Sequence, residues 1–256
     1  MLHSSVHGSG PDLVLLHGWG MNGAVWGRLA ETLTRSFRLT LPDLPGHGHS
    51  QYAPHGTTLA DWADACLDVA PASAIWIGWS LGGSVVMEAA LRAPRRVTAL
   101  VLVTATPRFV QGPDWPHAMP GATLAQFHAA LVNDPVATLV RFLALQARGD
   151  DDARNVLRTL RQRLIQAPDA DARGLDTGLD LLCDTDLRDR LISLGQPSLW
   201  LFGQHDTLVP WRCSESVSAL LPAAHSEVIQ GAAHAPFVSH YRTTLSLLVN
   251  FLEAFA

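Results

Sequence analysis

The residue with the clearest chemical potential is a serine on a glycine-rich turn. Gly78, Ser80 and Gly82 have the G-x-S-x-G spacing, and they lie between a strand-like apolar run and a segment with helical periodicity. On such a strand-to-helix turn the hydroxyl is exposed at the carboxyl edge of a parallel sheet, close to the N–H groups that begin the helix. The pattern predicts that Ser80 is a nucleophile rather than a structural turn residue.

A serine nucleophile needs a general base, and the base needs an acid that orients it. In folds with this turn the chain order is serine, then acid, then histidine. Asp206 follows the apolar run 199–202, and His234 follows a second run that ends at Ile229. Either residue alone could belong to an ordinary surface turn. Because both follow predicted strands at the edge that carries Ser80, we predict a triad of Ser80, His234 and Asp206.

Other histidines and aspartates near these positions are weaker candidates. His205 adjoins Asp206, but neighbouring side chains after a strand point in different directions, so we expect it to pack or to support the site. His240 precedes the last predicted helix and is expected at the start of that helix or on the surface. Asp184 and Asp186 follow helical segments rather than a strand.

A serine nucleophile of this type also requires two donors for the oxyanion. The N–H of the residue after the nucleophile, Leu81, is the first. The second is expected from a loop that follows an early strand, and the sequence His-Gly-Trp-Gly at 17–20 has this position. We therefore predict that the N–H of Trp19 is the second donor.

Three histidines could suggest a metal ion, but their surroundings do not favour one. His17 has no second ligand at i+3 or i+4, which is the spacing of a helical metal site. His47 and His49 lie in the glycine-rich loop 43–50, where the glycines are typical of a structural turn. We expect no metal site.

These residues must be positioned by strands that alternate with helices. Strand-like apolar runs occupy residues 13–16, 37–41, 74–77, 97–103, 198–202 and 226–229. Helical periodicity covers residues 24–33, 59–69, 84–91, 135–147, 153–167 and 241–254, and more weakly 176–183 and 187–194. This alternation indicates an α/β fold with a mostly parallel sheet covered on both faces. Since no strand is predicted between 111 and 194, we expect a discontinuous core, 1–110 and 195–256, with an all-helical cap at 111–194.

The charge composition excludes several functions. All 18 basic residues are arginine, so chemistry that needs a lysine amine, such as a Schiff base or a P-loop, is excluded. The net charge of −5 argues against a protein that binds nucleic acid, which would carry excess positive charge.

The sequence also lacks the patterns of secreted and membrane-bound proteins. Its three cysteines form no C-x-x-C pair and are odd in number, which argues against a disulfide framework or a zinc site. Residues 1–13 have no leader pattern, and no apolar run reaches the roughly 18 residues of a membrane helix. We expect a cytoplasmic monomer with no membrane segment.

With these residues assembled, the chain resembles the α/β-hydrolase superfamily over nearly its whole length. The segments that carry the resemblance are the turn 17–18, the loop 43–50, the Ser80 turn and the loops of Asp206 and His234. Within the superfamily it is similar to the pimeloyl-acyl-carrier-protein methyl ester esterases of biotin synthesis. That likeness rests on residues 17–22, 75–83, 141–146 and 232–237.

The resemblance implies an α/β-hydrolase fold and a substrate. The substrate is the methyl ester of pimeloyl-acyl carrier protein, which is hydrolysed to the free acid and methanol without a cofactor, and small esters serve in vitro. It also implies that Trp79 and Phe142 line the acyl pocket. The full set of substrate-binding residues is then Trp19, Trp79, Ser80, Leu81, Phe142 and His234.

The predicted cap carries an excess of positive charge. Residues 136–166 contain six arginines and three acidic residues. Arg154, Arg158 and Arg161 have i, i+4, i+7 spacing and share one helical face. An acyl carrier protein is acidic and bears a phosphate, and arginine binds both groups well. We predict that Arg141, Arg154 and Arg158 dock the carrier, against the alternative of an ordinary solvated helix face.

Several alternatives stay open at this stage. Ala137 stands where the esterase family tends to have a further arginine, which bears on the strength of docking. The same triad would serve a broad-specificity short-chain carboxylesterase, a lactonase or a perhydrolase unrelated to biotin. A non-catalytic hydrolase-like binding protein is a further alternative, although such proteins usually lose a triad residue. Haloalkane dehalogenation would need a carboxylate where Ser80 stands. The acyl chain length is left open.

Overall fold

The computed structural model describes residues 1–255, which form one seven-stranded sheet with helices on both faces. The strands are β1 Ser4–His7, β2 Asp12–Leu16, β3 Arg38–Pro42, β4 Ala74–Trp79, β5 Val97–Val103, β6 Ser198–Gly203 and β7 His225–Ile229. Their order across the sheet is β1-β3-β2-β4-β5-β6-β7. Only β1 runs antiparallel to its neighbour, and the other neighbouring strands are parallel. The prediction of a mostly parallel sheet is confirmed.

Successive side chains of each strand point to opposite faces of the sheet, and the core helices pack on both of these faces. They are α1 Gly27–Leu33, α2 Leu59–Val69, α3 Leu81–Arg92, α9 Cys213–Leu220, α10 Pro236–Ser239 and α11 Tyr241–Leu252. In β2, Leu13 and Leu15 belong to one buried cluster, and Val14 and Leu16 belong to the cluster on the other face. Strands buried on both sides in this way read as continuous apolar runs. No helix within residues 1–255 is long and apolar enough to cross a membrane.

Five helices lie between β5 and β6, in the region predicted to be helical. They are α4 Gly121–Asn133, α5 Pro135–Gln146, α6 Ala153–Leu164, α7 Ala172–Asp184 and α8 Arg188–Leu191. Helix α7 contacts the carboxyl edge of the sheet, where the indole Nε1 of Trp19 donates to the Leu175 carbonyl at 2.7 Å. The division into a core and a cap at 111–194 stays a prediction.

Most predicted elements are present, and the differences have local causes. The helix predicted at 24–33 is a short 3-10 turn, Gly23–Trp26, followed by α1, because Gly27 has a φ of +37° that interrupts the helix. The helix predicted at 153–167 ends at Leu164. Helix α7 begins four residues before its predicted start, since Asp171 accepts a hydrogen bond from the Arg173 N–H and caps it.

Four elements are absent from the sequence prediction, and one of them is the single turn of α10. Strand β1 has a single apolar residue and forms only through pairing with β3. Helix α4 follows a proline without a side-chain cap and buries only three residues. Helix α9 also lacks a side-chain cap, and its apolar pattern is short.

Candidate active site

Ser80 lies on the turn between β4 and α3, in a backbone conformation that is rare for any residue other than glycine. Its φ is +55° and its ψ is −121°. The flanking glycines are required by space: a Cβ on Gly78 would lie 2.5 Å from the Gly82 carbonyl oxygen, and one on Gly82 would lie 2.3 Å from the Leu16 carbonyl oxygen. The Ser80 N–H donates to the Val103 carbonyl at 3.0 Å, which ties the turn to the neighbouring strand. The predicted strand–turn–helix context is present.

Asp206 and His234, which are 28 residues apart in the chain, meet at this edge of the sheet. The Nδ1 of His234 lies 2.7 Å from Oδ2 of Asp206, and both side chains are almost completely buried. The other carboxylate oxygen accepts from the N–H groups of Leu208 and Val209, at 2.8 and 3.0 Å. A carboxylate only accepts, so Nδ1 of His234 carries a proton and Nε2 is left as an acceptor.

The free nitrogen of this histidine has no partner in residues 1–255. His234 Nε2 is buried, and no hydrogen bond joins it to Ser80 Oγ. A buried acceptor without a partner costs about 1–3 kcal/mol. In enzymes without substrate the bond between nucleophile and base is often long and forms only in the complex. The structure therefore joins Asp206 to His234 and places Ser80 on the same sheet edge, without a bond between Ser80 and His234.

The backbone of His234 is held from three directions. Its carbonyl oxygen accepts from Nε1 of Trp79 at 2.7 Å and from the hydroxyl of Thr104 at 2.8 Å. Its N–H donates to the Gln146 carbonyl at 3.2 Å. Since Trp79 directly precedes Ser80 in the chain, its indole links the turn of the nucleophile to the loop of the base.

Asp150 fixes the same loop from the cap side, and the sequence analysis did not identify it. Its Oδ2 accepts from the Ala233 N–H at 2.7 Å and from the Ser239 hydroxyl at 2.8 Å. Its Oδ1 accepts from the Asp152 N–H at 2.9 Å. The residue is only 7% exposed and has no cationic partner in residues 1–255, so these three donors compensate the buried charge. Nothing in a run of three aspartates marks the first as the one that holds the loop of His234.

The segment around Asp150 also contacts the loop of Asp206. His205 Nδ1 lies 2.7 Å from the Gly149 carbonyl, and the Asp151 N–H donates to the Gly231 carbonyl at 3.0 Å. His205 therefore has the supporting position that we expected. We call residues 146–152 the cap hinge, because they connect α5 to α6 and bind the loops of both Asp206 and His234.

The two predicted oxyanion donors belong to different elements. Leu81 is the first residue of α3, so its N–H has no partner inside the helix. The N–H of Trp19 donates to no group within residues 1–255. A Cβ on Gly18 would lie 3.2 Å from the Cβ of Ser80, which shows how closely this loop approaches the serine. The role of these two N–H groups as oxyanion donors stays a prediction.

His17 supports this loop as a neutral, structural side chain. Its Nε2 accepts from the Leu44 N–H at 2.9 Å, and its Nδ1 lies 2.8 Å from the Gly18 carbonyl. Complete burial lowers the pKa of His17. Burial likewise lowers the pKa of His47 to about 3. Both rings are therefore uncharged at neutral pH.

The two residues predicted to line an acyl pocket are buried in different clusters. Phe142 packs edge-to-face against Trp19 at 4.7 Å and against Phe127 at 5.4 Å between ring centroids. Trp79 packs instead against Phe237, with 5.1 Å between the centroids, in the cluster on the other face of the sheet. Their role in acyl binding stays a prediction.

A cavity of about 650 Å³ opens between α4, α5 and α6. Arg141, Arg148 and Arg154 are in its wall, together with Phe127 and Leu157. Phe127 contacts Phe142, which contacts Trp19, so three packed aromatic rings connect the wall of this cavity to the loop of Trp19. Two of the three predicted docking arginines, Arg141 and Arg154, border the cavity.

Within residues 1–255, the arginines of α5 and α6 lack the carboxylate partners that six other arginines of the chain have. Those at 38, 92, 108, 173, 188 and 190 each have a carboxylate within 4.0 Å. Arg141, Arg148, Arg154, Arg158 and Arg161 are exposed, and within residues 1–255 none of them forms a salt bridge. Arg158 donates only to the Asn155 side chain, at 2.8 Å. This surface therefore has free positive charge on a chain that is negative overall.

The comparisons of this chain with known proteins agree with one another. A family model for the alpha/beta hydrolase fold matches residues 11–241. The chain is 45% identical over 253 residues to a pimeloyl-acyl carrier protein methyl ester esterase of Stenotrophomonas maltophilia, which covers 99% of this chain and 97% of that protein. It is 43% identical to a protein of the same name from Vibrio campbellii, with 94% of each chain covered. An esterase structure from Exiguobacterium antarcticum has a TM-score of 0.88 at 22% identity, covering 98% of this chain and 95% of the other, and it supports the fold alone.

Proposed function

The chain belongs to the α/β-hydrolase fold family and, within it, to the pimeloyl-acyl-carrier-protein methyl ester esterases, and on this premise we propose that it hydrolyses pimeloyl-acyl-carrier-protein methyl ester. The products are pimeloyl-acyl carrier protein and methanol, a carboxylic ester hydrolysis that serves biotin synthesis. The proposal includes a monomeric enzyme that acts in the cytoplasm, where its carrier substrate is made.

The observation that best supports this class of reaction is the hydrogen bonding of the His234 ring. Asp206 holds the proton on Nδ1, so the buried Nε2 is ready to accept one. The only strained serine in residues 1–255, Ser80, stands on the same sheet edge. This combination supports nucleophilic catalysis by a serine and gives no reason to expect a cofactor.

The proposed mechanism has two matched halves. In the first, Ser80 Oγ attacks the ester carbonyl while His234 Nε2 takes its proton, and the N–H groups of Trp19 and Leu81 bind the oxyanion. Each such donor is worth roughly 3 kcal/mol in the transition state. His234 then gives its proton to the departing methoxy oxygen, which leaves as methanol, and an acyl-enzyme remains on Ser80. In the second half, water attacks the acyl carbonyl with His234 again as base, and Ser80 leaves with the proton.

Docking of the carrier is the part of the proposal that sets the substrate. The free arginines of α5 and α6 form a positive surface around the cavity between α4, α5 and α6, and an acidic carrier with a phosphate-bearing arm is complementary to it. Phe142 and Trp79 would contact the acyl group.

The decisive experiment compares a carrier-bound ester with a small ester. We expect the wild-type protein to release methanol from pimeloyl-acyl-carrier-protein methyl ester and to cleave p-nitrophenyl acetate, and Ser80→Ala to do neither. Retained turnover by Ser80→Ala would contradict the nucleophile assignment.

Charge reversal then tests the substrate. The double variant Arg154→Glu/Arg158→Glu should lose most of its kcat/KM for the carrier ester and little for p-nitrophenyl acetate. Arg35→Glu, at an exposed arginine outside the cap, is the matched control. Equal losses for both substrates, or none, would favour a broad-specificity esterase. Failure to restore growth of a biotin-requiring strain that lacks this esterase would argue against the biosynthetic role.

A further inference from the structure

Three side chains with metal-binding chemistry meet beside the carboxyl end of β3, and the proposed reaction does not use them. They are His3, which precedes β1, and Asp43 and His49 from the loop after β3. Nδ1 of His3 and Nδ1 of His49 lie 3.2 and 3.4 Å from the same carboxylate oxygen, Oδ2 of Asp43. All three atoms lie within 4.8 Å of one another. Sequence spacing gave no sign of this cluster, because 40 residues separate His3 from Asp43.

We propose that His3, Asp43 and His49 form a binding site for a zinc ion. Ligands that each lie 2.0–2.1 Å from tetrahedral zinc are about 3.3 Å apart, close to the two nitrogen–oxygen separations observed. Two imidazoles with one carboxylate are a donor set that zinc accepts readily, with a water molecule as the fourth ligand. The proposal is independent of the proposed esterase function.

The ligands are already held in place by the backbone around them. The His3 N–H donates to Ser50 Oγ at 2.9 Å, and the Asp43 N–H donates to the His3 carbonyl at 3.0 Å. The Ser50 hydroxyl closes this ring by donating to the Asp43 carbonyl at 2.6 Å. The second carboxylate oxygen, Oδ1, accepts from the Gly23 N–H at 2.7 Å, which orients Oδ2 toward the histidines. Outer hydrogen bonds of this kind preorganise a metal site.

An ion can reach the cluster from solvent, and its role there is structural. The side chains of His3 and His49 are 44% and 48% exposed, whereas that of Asp43 is 5% exposed. A bound ion would join the segment before β1 to the loop after β3, two parts that are otherwise held by hydrogen bonds. Because an ion that binds only the folded chain stabilises it by mass action, we expect zinc to raise the melting temperature. Turnover of small esters should not change, since within residues 1–255 His3 and His49 bind none of the residues Ser80, Asp206 and His234.

The test uses the full-length protein after treatment with EDTA. Titration with zinc chloride in a calorimeter should give one ion per chain, and cobalt chloride should give the visible absorption of a tetrahedral site. His49→Ala and His3→Ala should each abolish both signals and the rise in melting temperature. His7→Ala, which removes an exposed histidine of β1 outside the cluster, should behave as the wild type.

Two results would overturn the proposal. One is the absence of binding heat with the wild-type protein. The other is binding that persists unchanged in both His3→Ala and His49→Ala, which would place the ion elsewhere. Melting curves in EDTA establish that the variants are folded, because removal of these half-exposed rings should leave the metal-free melting temperature within about 2 °C.

Discussion

Replacement of Asp150 by alanine should loosen the base of the proposed triad without altering any of its members. The carboxylate binds the N–H of Ala233, the residue directly before His234, and the hydroxyl of Ser239. Its removal therefore frees the loop of His234 on the cap side, while Asp206 and the turn of Ser80 keep their contacts.

The size of the effect follows from what each donor loses. The Ser239 hydroxyl already lies 2.8 Å from Nδ1 of His240 and can turn to it, and the N–H of the exposed Asp152 can bind water. The Ala233 N–H is buried and would be left without an acceptor, which costs about 1–3 kcal/mol. We expect a loss of about 2 kcal/mol in the free energy of unfolding, or about 4–8 °C in melting temperature for a chain of this size. A base displaced by a fraction of an ångström should lower kcat roughly 10- to 100-fold.

The assay separates positioning from general destabilisation. Hydrolysis of p-nitrophenyl acetate at 25 °C should show a reduced kcat with a KM within about twofold of the wild type, because no substrate contact is removed. Asp150→Asn should recover part of kcat, since its amide oxygen can still accept from Ala233. Asp151→Ala, which removes a neighbouring exposed carboxylate with no side-chain hydrogen bond in residues 1–255, is the matched control for charge.

Two outcomes would refute this reasoning. If Asp150→Ala melts earlier but keeps the wild-type kcat below its melting range, the cap hinge does not position His234. If Asp151→Ala loses as much kcat as Asp150→Ala, the effect comes from charge near the site rather than from the hydrogen bond to Ala233.

Three further perturbations test other parts of the structure. Asp206→Asn should lower kcat by about 10⁴-fold for both substrates and leave the chain folded, because it removes the carboxylate that sets the tautomer of His234. A loss of less than tenfold in steady-state assays would contradict the triad. In the unfolded chain His47 binds a proton near pH 6.5, whereas in the folded chain burial lowers its pKa to about 3. The free energy of unfolding therefore decreases as the pH falls from 6.5 toward 3. Urea unfolding should show about 2 kcal/mol of this loss between pH 7 and pH 5, and His47→Gln should remove that share of the slope. Gly178→Ala puts a Cβ 2.7 Å from the Trp19 ring and should lower kcat more than it raises KM. Unchanged kinetics would mean that the Trp19 ring moves aside while the backbone N–H of Trp19 stays in place.

The sequence was sufficient for the parts of the site that local pattern and chain order determine. Ser80 could be predicted because the glycines that its turn requires are adjacent to it. Asp206 and His234 could be predicted because each follows a strand, and parallel strands bring their carboxyl ends to one edge. In both cases the information lies within a few residues of the side chain concerned.

The remaining contacts depend on tertiary packing that no local pattern records. Asp150 binds Ala233 across 83 residues. Strand β1 owes its existence to the edge of β3, and its own composition does not favour a strand. The metal-type cluster of His3, Asp43 and His49 depends on that same pairing, since β1 brings the amino-terminal residues to the loop after β3.

The conformation of Ser80 also sets a limit on the stability of the whole chain. A non-glycine residue at a φ of +55° costs on the order of 1–3 kcal/mol, which contacts elsewhere in the fold must offset. Ser80→Gly should therefore be inactive yet melt at a higher temperature than both Ser80→Ala and the wild type. Selection for thermal stability alone would replace this serine, so thermostable variants should be screened for turnover as well as for melting temperature. Ser80→Gly would therefore be a stable, inactive variant with which to isolate the complex with the carrier.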